Sequence, residues 1–237
     1  MPEAVQKRSE FRFPGESDEY RRARDELLQA EIELRRQTER VAAQRRELPL
    51  GGAVPTDYVF DEWDEDAGAV RQVRLSELFG DKDTLFLYSF MIVPPEQGLP
   101  FVGPCPSCTS IIDGIDGALP HITQRMAFAV AAKPPIDEFR CHGERRGWRH
   151  ARLLSAAPSA YSRDYGAEDA NGFQWPLATV FVRRDGRIHH FWSSELWLAP
   201  RDEGQDPRHV DFMWPIWAVL DSTPEGRDDW GPALEYD

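Results

Sequence analysis

The 237-residue sequence predicts an α/β fold: a mixed central sheet flanked by helices, with a long N-terminal helix ahead of it. Three observations carry this reading. The continuous apolar runs Thr84 to Met91 and Met126 to Ala132 suit strands covered on both faces. Each is followed by a segment with a helical apolar face, within Cys105 to Leu119 and Ile136 to Arg146. Finally, Leu177 to Val182 and Arg187 to Trp192 flank the turn Arg183-Arg184-Asp185-Gly186, a hairpin signal. Strand, helix, strand, helix and hairpin in that order imply parallel and antiparallel neighbours in one sheet.

Taken from the start, Glu16 to Leu48 lacks Gly and Pro, is rich in Glu, Arg, Gln, Ala and Leu, and repeats Tyr20, Leu27, Leu34 and Val41 every seven residues. That predicts a helix capped by Ser17 and ended by Leu50-Gly51-Gly52. Small or polar residues at Ala23, Ala30, Gln37 and Gln44 argue against a strong autonomous coiled coil. The helix is expected to cover its own domain or form a homodimer. Tyr58 to Phe60 and Val70 to Leu75 read as short strands, and Ser76 to Gly80 as a helical turn. Met91 to Pro104, with four prolines and two glycines in 14 residues, reads as loop. A last helix is expected over about Pro207 to Leu220, bearing Phe212, Trp214 and Trp217. The resulting domains are 1–56 (extension with the long helix), 57–201 (the α/β domain), and 202–237 (C-terminal helix and acidic tail).

The formal net charge of −13 disfavours sequence-independent nucleic-acid binding, which needs basic side chains on phosphates. It is concentrated: residues 57–66 hold six acids and no base, and 202–237 hold ten acids against Arg208 and Arg227, while 67–201 is nearly neutral. The acidic segments read as solvated surface. The longest purely apolar run, Met126 to Ala132, has seven residues, against the roughly 20 that span a bilayer. A cytoplasmic protein is expected, with no membrane partner, and its three cysteines do not suggest a disulfide scaffold.

Cys105-Pro106-Ser107-Cys108 carries the chemistry. Pro106 suits the first helical position, which places Cys105 at or beside the N-cap. Unpaired N–H groups and the helix dipole there favour a thiolate. Cys108 lies one turn on, where it can resolve a mixed disulfide formed by Cys105. Cys105 and Cys108 are therefore the candidate catalytic residues, with Pro106 and Thr109 beside them as candidate substrate-binding residues.

Trp175-Pro176 before the strand Leu177 to Val182, followed by a glycine-turned hairpin, resembles the thioredoxin superfamily. The stretches DYVF, CPSCTSIIDGIDG, ERRGW, RDYGAE, VFVRRDGRIHHFW, QDPRHVD and LDSTPEGR resemble a bacterial domain-of-unknown-function family described as thioredoxin-like and AhpC/TSA-like. The resemblance covers most of the chain. It implies a thioredoxin-like fold, a cis-proline at Pro176, and a Trp175 backbone that hydrogen-bonds substrate. It also implies that the Ile136 to Arg146 helix lies on the sheet face opposite the first helix. The sequence departs from thioredoxin in three ways: Pro104 precedes Cys105, a proline-rich loop separates strand from motif, and Leu85 to Phe90 contains no acid to accept a proton.

The expected activity is thiol–disulfide exchange on a protein or small-molecule thiol or disulfide, without cofactor or metal. Peroxide reduction and a non-catalytic dimeric scaffold are the alternatives. Cys105, Cys108, Cys141 and His142 form a nominal zinc set, but the adjacency of Cys141 and His142 is awkward for a tetrahedral centre, and Cys141 reads as an ordinary helix cysteine. Asp113 and Asp116 read as capping or solvated carboxylates, with proton transfer to Cys108 as the sharper alternative. His189 and His190 are adjacent in a strand and so point to opposite faces; His121 reads as structural. Trp192, Trp197, Trp214 and Trp217 read as core beneath the last helix, with a ligand cage as the alternative.

Overall fold

The computed structural model describes residues 12–200, 203, 209–226 and 230–236. The chain divides into two compact units, Met1–Pro49 and Leu50–Asp237. In the first, helix α1 (Asp18–Arg46) begins where the Tyr20 N–H donates to the Ser17 hydroxyl. None of its residues is buried, and Tyr20, Leu27 and Leu34 are exposed.

In the second unit, β1 (Val59–Asp64) and β2 (Ala69–Arg74) form a hairpin, and α2 (Leu75–Leu78) follows. The central strand β3 (Thr84–Ser89) leads through the two-residue strands β4 (Ile92–Val93) and β5 (Gly103–Pro104) to α3 (Pro106–Ile115). A 3₁₀ turn and α4 (Leu119–Ile122) continue its direction to β6 (Ala127–Ala132). Then come α5 (Ile136–Arg146), β7 (Leu153–Ser155), α6 (Tyr161–Asp164), β8 (Leu177–Arg184) and β9 (Arg187–Ser193). Helix α7 (Pro215–Leu220) is the last element among the described residues. The seven-stranded sheet has the order β2-β1-β7-β6-β3-β8-β9, parallel between β3, β6 and β7 and antiparallel elsewhere. A parallel β3–α3–β6 unit backed by the β8–β9 hairpin is the expected thioredoxin-like arrangement. The hairpin closes on Asp185 and Gly186, both at positive φ, the two-residue turn whose twist suits paired strands.

Alternation along β3 divides the core. Phe86 and Tyr88 face one layer with Cys108, Ile111, Ile112 and Phe139, while Leu85 and Leu87 face the other with Phe60, Leu75, Phe79 and Tyr161. Helices α3 and α5 therefore share a face, which corrects the expectation that they lie on opposite ones. The chain steps from β3 to β6 to β7 in one direction across the sheet, and two right-handed crossovers taken in the same direction put both helices on the same side.

Other expectations shift. Met91 to Pro104 is not all loop: β4 pairs with β5, and the buried Gln97 side chain both donates to Gln174 O (2.9 Å) and accepts from Gln174 N–H (3.0 Å). Residues 57–66 are not merely solvated acid. Glu62 is buried on β1 and accepts from Arg152 (2.6 Å) and Arg71 (2.8 Å), which hold its carboxyl below the usual range despite burial. Asp57 accepts from both the N–H and hydroxyl of Ser76. The last helix is shorter than expected, since Pro215 keeps Trp214 out of the helical region (φ −122°, ψ 83°) and can only begin a helix. The expected start of that helix at Pro207 lies outside the described residues. Between α5 and β8, where the sequence carries no periodic signal, lie β7 and α6, whose three and four residues are too short to show a period.

Candidate active site

Cys105 is the N-cap of α3, with Pro106 in the first turn. Its sulfur accepts from the Cys108 N–H at 3.5 Å, and its own N–H donates to Met91 O at 3.0 Å, so the residue ahead of β4 and the helix fix it from both sides. Cys105 and Cys108 are both free thiols, 4% and 1% exposed. The S–H of Cys108 donates to Cys105 and draws its pKa down against the cost of burial; N–H groups of Cys108 and Ser107 add to this. Burial pushes the Cys108 thiol well up, and the proximity of Cys105 pushes it further. Cys105 is thus the more acidic thiol of the pair and Cys108 the less acidic, the division of labour that exchange chemistry needs.

Two groups around the pair hold positions that the sequence did not reveal. Tyr88, fully buried on β3, donates its O–H to Cys108 Sγ at 3.3 Å, occupying the place where an acid was sought. His142 on α5 lies 3.1 Å from Thr109 Oγ1, and Thr109 donates its hydroxyl to Cys105 O at 2.9 Å. Because that hydroxyl has one proton, His142 Nε2 must carry the hydrogen in this chain, the tautomer set by the network. Burial, with Arg145 and Arg146 nearby, draws the His142 pKa down to about 4, so the ring is neutral. The β-strand period pointed Tyr88 to one face of the sheet, but only the observed register shows what stands there.

A cavity of about 420 Å³ opens over the pair. Leu99 and Phe101 from the β4–β5 loop, Trp175 and Pro176 before β8, and Trp197, Trp214, Trp217 and Trp230 wall it. Trp214 and Trp217 are therefore cavity wall as well as core, Trp197 is half-buried cavity wall outside the core, and Trp192 packs on the core and edge-on against Phe212.

Among the described residues there is no cis peptide bond, so Pro176 is trans, correcting the cis-proline. Trans is the default isomer, and no constraint in this segment overrides it: Gln97 clamps Gln174, and Trp175 N–H donates to Ala167 O at 2.9 Å. That bond leaves only the Trp175 carbonyl for a substrate. Pro106 and Thr109 do not line the cavity; they sit behind the sulfur and set its backbone.

The nominal zinc set does not converge. Cys141 is exposed and lines a separate surface pocket, and His142 Nε2 is engaged with Thr109. Among the described residues, no three His, Cys, Asp or Glu side chains are grouped to hold a metal ion. Asp113 pairs with Arg146 and accepts from Trp148 Nε1 (2.7 Å). Asp116 accepts from the backbone N–H groups of Arg149, His150 and Ala151 at 2.9–3.0 Å. Asp116 caps the backbone of that loop and Asp113 is an ion-paired side chain, and both carboxylates are occupied with these partners. Among the described residues, no helix is long and apolar enough to cross a membrane.

A family model described as "Bacterial protein of unknown function (DUF899)" matches residues 12–235. No curated protein matches the chain. Solved structures similar to it include a reduced 2-Cys peroxiredoxin from Plasmodium vivax (18% identity, 72% of this chain and 95% of that chain, TM-score 0.44). Peroxidoxin BcpB from Mycobacterium tuberculosis shows 18% identity over 73% of this chain and 99% of its own, with TM-score 0.44. A 1-Cys peroxiredoxin from Plasmodium falciparum shows 11% identity over 73% and 98%, with TM-score 0.48.

Proposed function

The chain belongs to the bacterial family of unknown function DUF899, and from its site we propose that it is a thiol–disulfide oxidoreductase. The observation that carries this reading is Cys105 at a helix N-cap, its sulfur receiving the Cys108 N–H, with Cys108 one turn behind it and a cavity in front. In the reductive direction the Cys105 thiolate attacks one sulfur of a substrate disulfide. A Cys105–substrate bond forms, the substrate S–S bond breaks, and the first substrate thiolate leaves. Cys108 then gives up its proton to that leaving group and attacks Cys105 Sγ, releasing the second thiolate. The substrate gains two electrons, and the protein keeps a Cys105–Cys108 disulfide that an external dithiol returns to the reduced state. Tyr88, which donates to Cys108, stabilises the thiolate that performs the second attack. The Thr109–His142 pair fixes the carbonyl of Cys105 and so the direction of its side chain.

The test is exchange with a model disulfide. Cys105→Ser is expected to abolish it while leaving the circular dichroism and thermal transition in place; equal rates in the two proteins would sink the proposal. Oxidation of Cys105 by hydrogen peroxide far faster than that of a free thiol of equal pKa would move the assignment to peroxide reduction.

A further inference from the structure

Among the described residues, no side chain lining the cavity in front of Cys105 is Asp, Glu, Lys or Arg, in a protein whose sequence is 29% charged, and His209 supplies its one imidazole. Most of the wall is indole, phenyl and aliphatic surface. Two of the indoles have already committed their N–H groups elsewhere: Trp214 donates to Ser110 Oγ at 2.9 Å, and Trp175 to Asp169 Oδ2 at 3.4 Å. They present rings to the cavity, and their donors are turned aside. A volume of about 420 Å³ lies in the range that encloses small molecules. The walls come from five separate parts of the chain, residues 88–111, 175–176, 197, 209–217 and 230–232, and gather over the sulfur, whereas a protein substrate needs an open groove. A charged group placed there would lose its hydration and, among the described residues, meet no Asp, Glu, Lys or Arg to pair with.

Resting on the exchange reading above, we propose that Cys105 serves a small uncharged thiol or disulfide with an aromatic or branched aliphatic body, seated against the tryptophan wall. Protein disulfides and charged thiols are excluded by the same wall.

Methanethiosulfonates of one reactivity class but different charge test this directly. The Cys105 thiolate displaces methanesulfinate and takes the thioalkyl group, and Cys108 then expels that group as its thiol, closing the disulfide. Benzyl, sulfonatoethyl and trimethylammonioethyl methanethiosulfonate are each reacted with reduced Cys141→Ser protein at pH 8, and each rate is divided by that of N-acetylcysteine. The normalised benzyl rate is expected to exceed both charged ones by at least about tenfold. Trp197→Ala and, independently, Phe101→Ala should lower that ratio, both residues being only partly buried. Insulin disulfides should be reduced no faster than by a free dithiol. Equal normalised rates, a faster charged probe, or rapid insulin reduction would overturn the substrate class while leaving exchange itself standing. Failure of Cys105 to react with any probe would instead remove the exchange reading and this inference together.

Discussion

Replacing Tyr88 by phenylalanine removes one oxygen from the core and isolates the role of the hydroxyl behind Cys108. The phenol is 0% exposed and donates to Cys108 Sγ at 3.3 Å. A hydrogen bond to a charged group is worth about 1.5–3 kcal/mol, which at about 1.4 kcal/mol per pKa unit raises the Cys108 pKa by roughly 1–2 units further. At fixed pH its thiolate fraction falls by about 10- to 150-fold. A more basic thiolate is also a better nucleophile, with a Brønsted slope of about 0.4–0.5, which recovers nearly half of that loss on a logarithmic scale. The net expectation is a resolving step slowed by about 4- to 20-fold, with the attack of Cys105 almost unaffected. Stopped-flow reaction of Cys141→Ser protein with 4,4′-dithiodipyridine separates the two: the first thiopyridone is released by Cys105 and the second by Cys108. An unchanged second phase, or equal slowing of both phases, would refute the assignment of Tyr88 as the group that positions and charges Cys108.

Three further outcomes follow from the same geometry. Since donation from Cys108 is the largest cause of the lowered Cys105 pKa, Cys108→Ala should move the pH midpoint of Cys105 alkylation by iodoacetamide upward, and an unmoved midpoint would refute that cause. His142 titrates near 4 when folded against 6.5 when unfolded, so the unfolded chain binds the proton first. Stability is then lost as pH falls from 6.5 to 4, by about 3 kcal/mol, and His142→Gln should flatten that part of the urea-midpoint profile. Asp116→Ala strands three backbone N–H groups and should cost about 2–4 kcal/mol in urea unfolding; a loss below 1 kcal/mol would mean water replaces the carboxylate.

Much of this was legible in the sequence because it depends on local chemistry. Pro106 and the helical spacing of Ile111, Ile112 and Leu119 are enough to put Cys105 at a helix start, and the apolar run at Thr84 is enough to bury the strand before it. What the sequence hides is what the sheet decides. Tyr88 sits behind Cys108 only because even-numbered residues of β3 face α3, a choice that periodicity leaves open. The side on which α5 lies follows from where β7 joins the sheet, and three residues of strand give no pattern from which to read that join. The cavity belongs to the same class: Leu99, Trp175, Trp197 and Trp230 share no motif, and only folding brings them together.

That convergence also gives the protein an optical property. Five of its eight tryptophans line the cavity over Cys105 and Cys108, with Trp214 and Trp217 at 4.8 Å between ring centroids, and Trp217 and Trp230 at 6.0 Å. Disulfides and thiolates quench excited indoles at close range, and indoles this near one another pass excitation along. The emission of the unlabelled protein should therefore track the oxidation state of its two buried sulfurs, so that a redox titration can be read by light from the residues that form the wall.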